Sequence, residues 1–152
     1  MKLKIEISPQ LEKELILRAP EIDDEVIRIR AAIEKITAVP GEIALKTASG
    51  EIFVGYSEIY FFEVSGEKTY AHTSRDCFVC PLRLAELENM LPRYFCRASK
   101  SILVNASKIR SISRSATGVG EAGFSGTEKK IYISRMYYNS VREIIGETRL
   151  IK

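Results

Sequence analysis

Residues Tyr94–Asn105 read "YFCRASKSILVN". The run ends as an apolar strand, "ILVN", yet it carries Arg97, Ser99, Lys100 and Ser101 and no acidic residue. The bias extends outward. From Arg93 to Gly120 the charged residues are Arg93, Arg97, Lys100, Lys108, Arg110 and Arg114, and the next carboxylate is Glu121. A solvated surface usually mixes both signs. A one-signed, hydroxyl-rich segment feeding a strand therefore points to a β-framework that offers cations to an anionic partner.

The rest of the chain is consistent with that reading. Its 152 residues suffice for one sizeable core, and a composition of 45% hydrophobic and 28% charged residues argues against disorder. The formal charge is only +3, but residues 1–37 hold seven basic and eight acidic groups. The remainder holds sixteen and twelve, a net of +4, so the excess is a local patch and not a polycationic tail. No apolar run approaches the roughly 20 residues that span a bilayer. The opening "MKLKIEISPQLEKEL" lacks the continuous apolar stretch of a signal peptide, so a cytoplasmic protein is expected.

Hydrophobic period divides the sequence. "KLKIEI" alternates like a strand, and "APEIDDEVIRIRAAIEKI" predicts a helix with Pro20 in its first turn and Glu21, Asp23, Asp24 and Glu25 at its positive end. Ile22, Val26, Ile29, Ile33 and Ile36 fall on one stripe, which suits either packing on a sheet or a dimer seam. Pro40-Gly41 breaks the pattern. Beyond it the period becomes two, with strands expected in "IALKTA", "EIFVGY", "IYFFEV", "TYAHTS", "CFVCPL", "SILVN", "IRSIS" and "KIYIS". Two helices interrupt them. Arg83–Leu91 has Leu84, Leu87 and Leu91 on one face, and Arg135–Ile145 has Tyr138, Val141 and Ile145 on one face and stops at Gly146. The expectation is a strand-plus-helix segment over residues 1–40, then a mainly-β, antiparallel, multi-sheet domain with two short helices over 43–146.

Chemical motifs are few. Cys77 and Cys80 form a C-x-x-C, but in a strand residues i and i+3 point to opposite faces, and the other available metal ligands are Cys96 and the single His72. Gly118–Gly123 matches G-x-G-x-x-G; it lies between two strands, in what reads as a hairpin loop over Ser115–Thr127, so no dinucleotide is expected. Scattered carboxylates and a lone histidine give no acid/base couple. No enzyme activity, cofactor, metal or small-molecule substrate is expected. What remains is a set of loops that pair a cation with a small hydrogen-bond donor: Lys68 in a turn, Arg97, Lys100 and Ser101 at a loop-to-strand entry, and Ser134-Arg135 where a strand becomes a helix. Such groups neutralise phosphates, and arginine also reads guanine edges. A protein-interaction module acting through residues 1–37 is a second reading. A third is RNA binding, with Tyr60, Phe61 and Phe62 stacking on bases.

"IYFFEVSGEKTYAHT", "RLAELENMLPRYFCRASKSILVNASKIRSI" and "IYISRMYYNSV" together resemble the LytTR DNA-binding domain of bacterial transcription regulators, over roughly Ile43 to Ile145. The middle block carries the family pattern of a short helix ending in L-P, then F-x-R-x-x-x-S-x-[IVL]-V-N. The resemblance implies an elongated antiparallel β-domain whose loops enter successive major grooves of bent duplex DNA, usually at direct repeats. It implies base-reading positions near Glu67-Lys68, at Lys100 and at Ser134-Arg135-Met136, with Ser101, Ser134 and Tyr137 on the DNA backbone. Met136 departs from the family pattern, which often has a second basic residue there. The roughly forty residues ahead of the domain are too few for a phospho-receiver. The front end resembles that of stand-alone members, which implies a small membrane protein as inhibitor; the Ile22–Ile36 stripe is then a candidate dimer or inhibitor surface, and a tandem site fits a homodimer.

Overall fold

The computed structural model describes residues 4–5, 8–10, 15–37 and 41–150, with the side chains of 34–37 and 150 left aside. Most of the expected "KLKIEI" strand lies outside these residues. The first element, α1 (Asp24–Thr37), starts later than the sequence suggests. Asp23 caps it: its Oδ1 accepts from Val26 N at 2.9 Å, so Pro20 and Ile22 precede the helix and Ile22 is exposed. An aspartate cap satisfies a free helical N–H, which a proline three residues upstream cannot do. None of the described α1 side chains is fully buried.

Ten strands follow, all paired antiparallel. The first sheet contains β1 (Glu42–Thr47), β2 (Gly50–Gly55), β3 (Phe61–Ser65), β4 (Lys68–His72), β5 (Cys77–Cys80), β6 (Phe95–Ser99) and β7 (Ile102–Asn105). Their order across the sheet is β2-β1-β5-β4-β3-β7-β6. The second sheet, β10-β9-β8, uses β8 (Ile109–Arg114), β9 (Gly120–Phe124) and β10 (Lys130–Ile133). Helix α2 (Leu84–Met90) packs Leu84 and Leu87 under the first sheet, and α3 (Tyr138–Leu150) packs Tyr138, Val141 and Ile145 against the second core.

Strand β3 lies between two cores. Phe62 faces the one closed by α2, and Phe61 faces the one closed by the second sheet and α3. Burial on both faces explains why the "IYFF" that leads into β3 is continuously apolar instead of alternating. Side chains clasp the two sheets. Tyr60 Oη donates to Ser125 O at 2.6 Å, Thr127 Oγ1 to Ser74 O at 2.7 Å, and Lys129 Nζ to the carbonyls of Thr73 and Asp76 at 2.9 and 2.8 Å. Phe61 stacks between His72 and Phe124, with centroids 4.2 and 5.7 Å away. Removing a fully buried side chain such as Leu87 from such a core costs about 2–5 kcal/mol.

Three sequence expectations need correction. Gly120–Phe124 is the central strand of the second sheet, not part of a hairpin loop. Its inward positions are Gly120, Ala122 and Phe124, and the glycine content hides the alternation; a Cβ on Gly120 would fall 2.5 Å from Tyr138 Cδ2. Phe95–Ser99 is itself a strand, which puts Arg97 inside β6 and not at a loop entry. A register shift between Arg97 and Ser99 leaves Phe95 and Ala98 as the buried residues, so period two fails there. Finally, α3 begins at Tyr138 and runs through Gly146 to Leu150.

Candidate nucleic-acid interface

The cations of interest sit on turns whose shape follows from local chemistry. Ser65 pairs with Lys68 across the two-residue turn Gly66-Glu67, and Gly66 has φ +62, a conformation open to glycine at little cost. Lys68 is exposed on the first residue of β4. The β6–β7 turn is built from hydroxyls: Ser101 N donates to Ser99 Oγ at 3.2 Å, and the two Oγ atoms are 3.3 Å apart. This leaves Lys100 exposed at the tip.

Two backbone hydrogen bonds bring these turns and the one after β10 to the same end of the framework. Val64 N–H donates to Ser101 O at 2.8 Å, joining the first turn to the second. Ser134 N–H donates to Ala98 O at 2.8 Å, joining the third. Ser134 O then accepts from Tyr137 N and Tyr138 N, which turns the chain into α3 and projects Arg135 and Met136 into solvent. Among the described residues, Lys68, Lys100 and Arg135 meet no carboxylate.

Other expected contact residues are held differently. Arg97 donates from Nε and Nη2 to Glu88 at 2.8 and 3.3 Å and from Nη1 to the carbonyl of Lys100 at 2.7 Å. Its guanidinium thus ties α2 to the Lys100 turn. The Ser134 hydroxyl is buried without a hydrogen-bond partner. Tyr137 is half-buried against the second core. Tyr60, Phe61 and Phe62 are buried in the cores, which removes the surface on which RNA bases would stack.

One group belongs to the basic run of the sequence but was not singled out there as a contact residue. Arg114, at the end of β8, lies over the Tyr138 ring at 4.7 Å and donates from Nε to Gly118 O at 3.3 Å. That puts the β8–β9 turn beside Arg135. Nothing in the spacing of Arg114 and Arg135 signals this, because strand pairing across residues 109–124 creates the neighbourhood.

His72 Nε2 is 3.2 Å from Glu63 Oε2, and Lys129 Nζ is 3.4 Å from Nδ1. An ammonium can only donate, so Nδ1 accepts and Nε2 carries the proton. Burial, then Lys129, lowers the His72 pKa, while Glu63 opposes both. Cys77 is exposed and Cys80 buried, on opposite faces of β5, and burial pushes the Cys96 thiol up to about 12. Among the described residues no cluster of His, Cys, Asp and Glu could hold a metal ion, and no helix is long and apolar enough to cross a membrane.

Comparison with known proteins agrees with this architecture. Residues 49–146 match the model of the LytTr DNA-binding domain. An uncharacterized HTH-type transcriptional regulator of Staphylococcus aureus (strain NCTC 8325 / PS 47) is 29% identical over 144 residues, covering 94% of this chain and 97% of that protein. Another from the bovine strain RF122 / ET3-1 is 30% identical over 148 residues, with the same coverage. Their names say helix-turn-helix, yet here five strands separate α1 from α2 and five more separate α2 from α3. The LytTr DNA-binding domain of a Bacillus cereus methyl-accepting/DNA response regulator superposes with a TM-score of 0.64 at 25% identity, covering 69% of this chain and 96% of that one. The chain belongs to the LytTr DNA-binding domain family, a family of DNA-binding proteins and not a class of enzyme.

Proposed function

We propose that this DNA-binding regulator is a cytoplasmic transcription factor that docks its cationic turns into successive major grooves of one face of a bent duplex. Lys68, Lys100 and Arg135 read base edges, while Ser101 and the chain around Ser134 and Tyr137 keep the protein in register on the backbone. Arg97 acts through the Lys100 turn that it holds. Met136 stands exposed beside Arg135 and offers an apolar contact where a second cation would otherwise lie. The observation that carries this reading is the pair of backbone hydrogen bonds, Val64 to Ser101 and Ser134 to Ala98, which set three unneutralised cations at one end of a rigid sheet.

The part of the stripe that lies on described α1 side chains, half-buried Val26, Ile29 and Ile33, supports a homodimer on a tandem site, with a small membrane protein as the competing occupant. Residues 1–40 are then the regulatory segment and 43–146 the DNA-reading domain. A protein-interaction role for residues 1–37 alone predicts that deleting them abolishes partner binding and that the duplex is no ligand.

The test uses a duplex selected by the protein from a random pool. Lys100→Ala and Arg135→Ala each weaken binding to it by about 1–3 kcal/mol, and weaken binding to random duplex by less. Equal losses on both duplexes in a mobility-shift series would reduce the two side chains to phosphate contacts.

A further inference from the structure

Gly118, the first glycine of the G-x-G-x-x-G run, has φ +88 and lies beneath two arginine side chains. A Cβ built on it would fall 2.9 Å from Arg135 Cδ and 3.7 Å from Arg114 Nη2. The Arg114 guanidinium and the aliphatic stem of Arg135, from different elements, therefore meet over one bare backbone position. Their approach is imposed by the fold: Arg114 is fixed over the Tyr138 ring and by its bond to Gly118 O, and Arg135 leaves the framework where Ser134 is tied to β6. Neither has a carboxylate partner among the described residues. A guanidinium held in place with no carboxylate beside it is open to an anion.

The turn beside them supplies neutral donors. Ser115 N donates to Val119 O at 2.9 Å and Gly118 N to Ser115 O at 3.0 Å, which shapes the loop. Ser115 Oγ and Thr117 Oγ1 lie 2.7 Å apart and share one hydrogen bond, so one hydroxyl proton remains to donate outward. A planar guanidinium fork and a hydroxyl donor suit the oxygens of a phosphate diester.

We infer that Arg114, Ser115 and Thr117 form a clamp for one backbone phosphate of the bound duplex, with Gly118 as the seat over which the stem of Arg135 passes on its way to the groove. The inference rests on the DNA-reading proposal and adds the β8–β9 turn as a fourth contacting element. A phosphate held there fixes how deeply Arg135 enters the groove. Arg114 contributes affinity without sequence choice.

The experiment compares wild type, Arg114→Gln, Arg114→Lys and the double variant Ser115→Ala/Thr117→Ala, each as full chain. The ligands are the selected duplex, random duplex, and selected duplexes bearing one neutral methylphosphonate at successive positions. Arg114→Gln lowers affinity about tenfold on selected and random duplex alike, and reduces the slope of log K against log salt by about 0.9. One methylphosphonate position weakens wild type but not Arg114→Gln. Arg114→Lys keeps the salt slope and controls for folding, and the hydroxyl variant loses affinity without changing the slope. An unchanged slope in Arg114→Gln, or methylphosphonate penalties identical in both proteins, overturns the clamp. If Lys100→Ala still loses selected-site binding in that case, the DNA-reading proposal stands without the clamp. Absence of duplex binding by wild type removes both.

Discussion

The backbone N–H of Val64 donates to the carbonyl of Ser101 at 2.8 Å, so the turn ending at Lys68 and the turn carrying Lys100 move as one piece. The ladder between β3 and β7 pairs Glu63 with Ile102 one step earlier, and this bond extends it to the sheet margin. A DNA-reading surface made of turns needs such ties, because an untied turn would lose conformational freedom on binding.

Arg97 should govern the Lys100 turn without touching DNA. Arg97→Lys keeps the charge but replaces a planar fork by a single ammonium, so it cannot hold both Glu88 oxygens and the Lys100 carbonyl. The expected loss is about 1–2 kcal/mol of stability, because the pair is only partly solvent-screened. Binding to the selected duplex should fall more than binding to random duplex. Thermal midpoints together with mobility shifts check this; unchanged selectivity would confine Arg97 to stability.

Asn105 ties the segment before β3 to the turn after β7 from inside. It is fully buried; its Nδ2 donates to Ile59 O at 2.9 Å and its Oδ1 accepts from Ser107 N and Ser107 Oγ. Asn105→Ala strands the buried Ile59 carbonyl, at about 1–3 kcal/mol, and gives up the cap on Ser107 N–H. Urea unfolding should show a lower midpoint at unchanged slope. A midpoint equal to wild type would mean that water replaces the amide.

His72 should make stability fall in mild acid. Its folded pKa lies below the ordinary 6.5, first because it is buried and then because of Lys129. The unfolded chain therefore takes up the proton first as pH drops below 6.5, and unfolding is favoured until the pH is below the folded value. His72→Gln should flatten that part of the profile. Urea midpoints at pH 7.5 and 5.5 test this, and parallel profiles for variant and wild type would assign the acid sensitivity to other groups.

Much of this protein was legible from residue order. Leu84, Leu87 and Leu91 on one face of a short helix, Tyr138, Val141 and Ile145 on another, and the antiparallel hairpins all follow from period and turn chemistry. The cationic turns were legible too, because charge bias and small hydroxyls are local properties. Strand β6 was obscured by its bulge, and β9 by glycines that make room for Tyr138. Only the tertiary structure decided which cations stand free and which are bound. Arg97 and Lys100 are three residues apart, yet one grips Glu88 on α2 and the other faces solvent. Arg114 and Arg135 are twenty-one positions apart, yet they meet over Gly118. Local pattern specifies what a side chain can do; strand pairing between distant segments specifies what it is next to, and binding depends on the second.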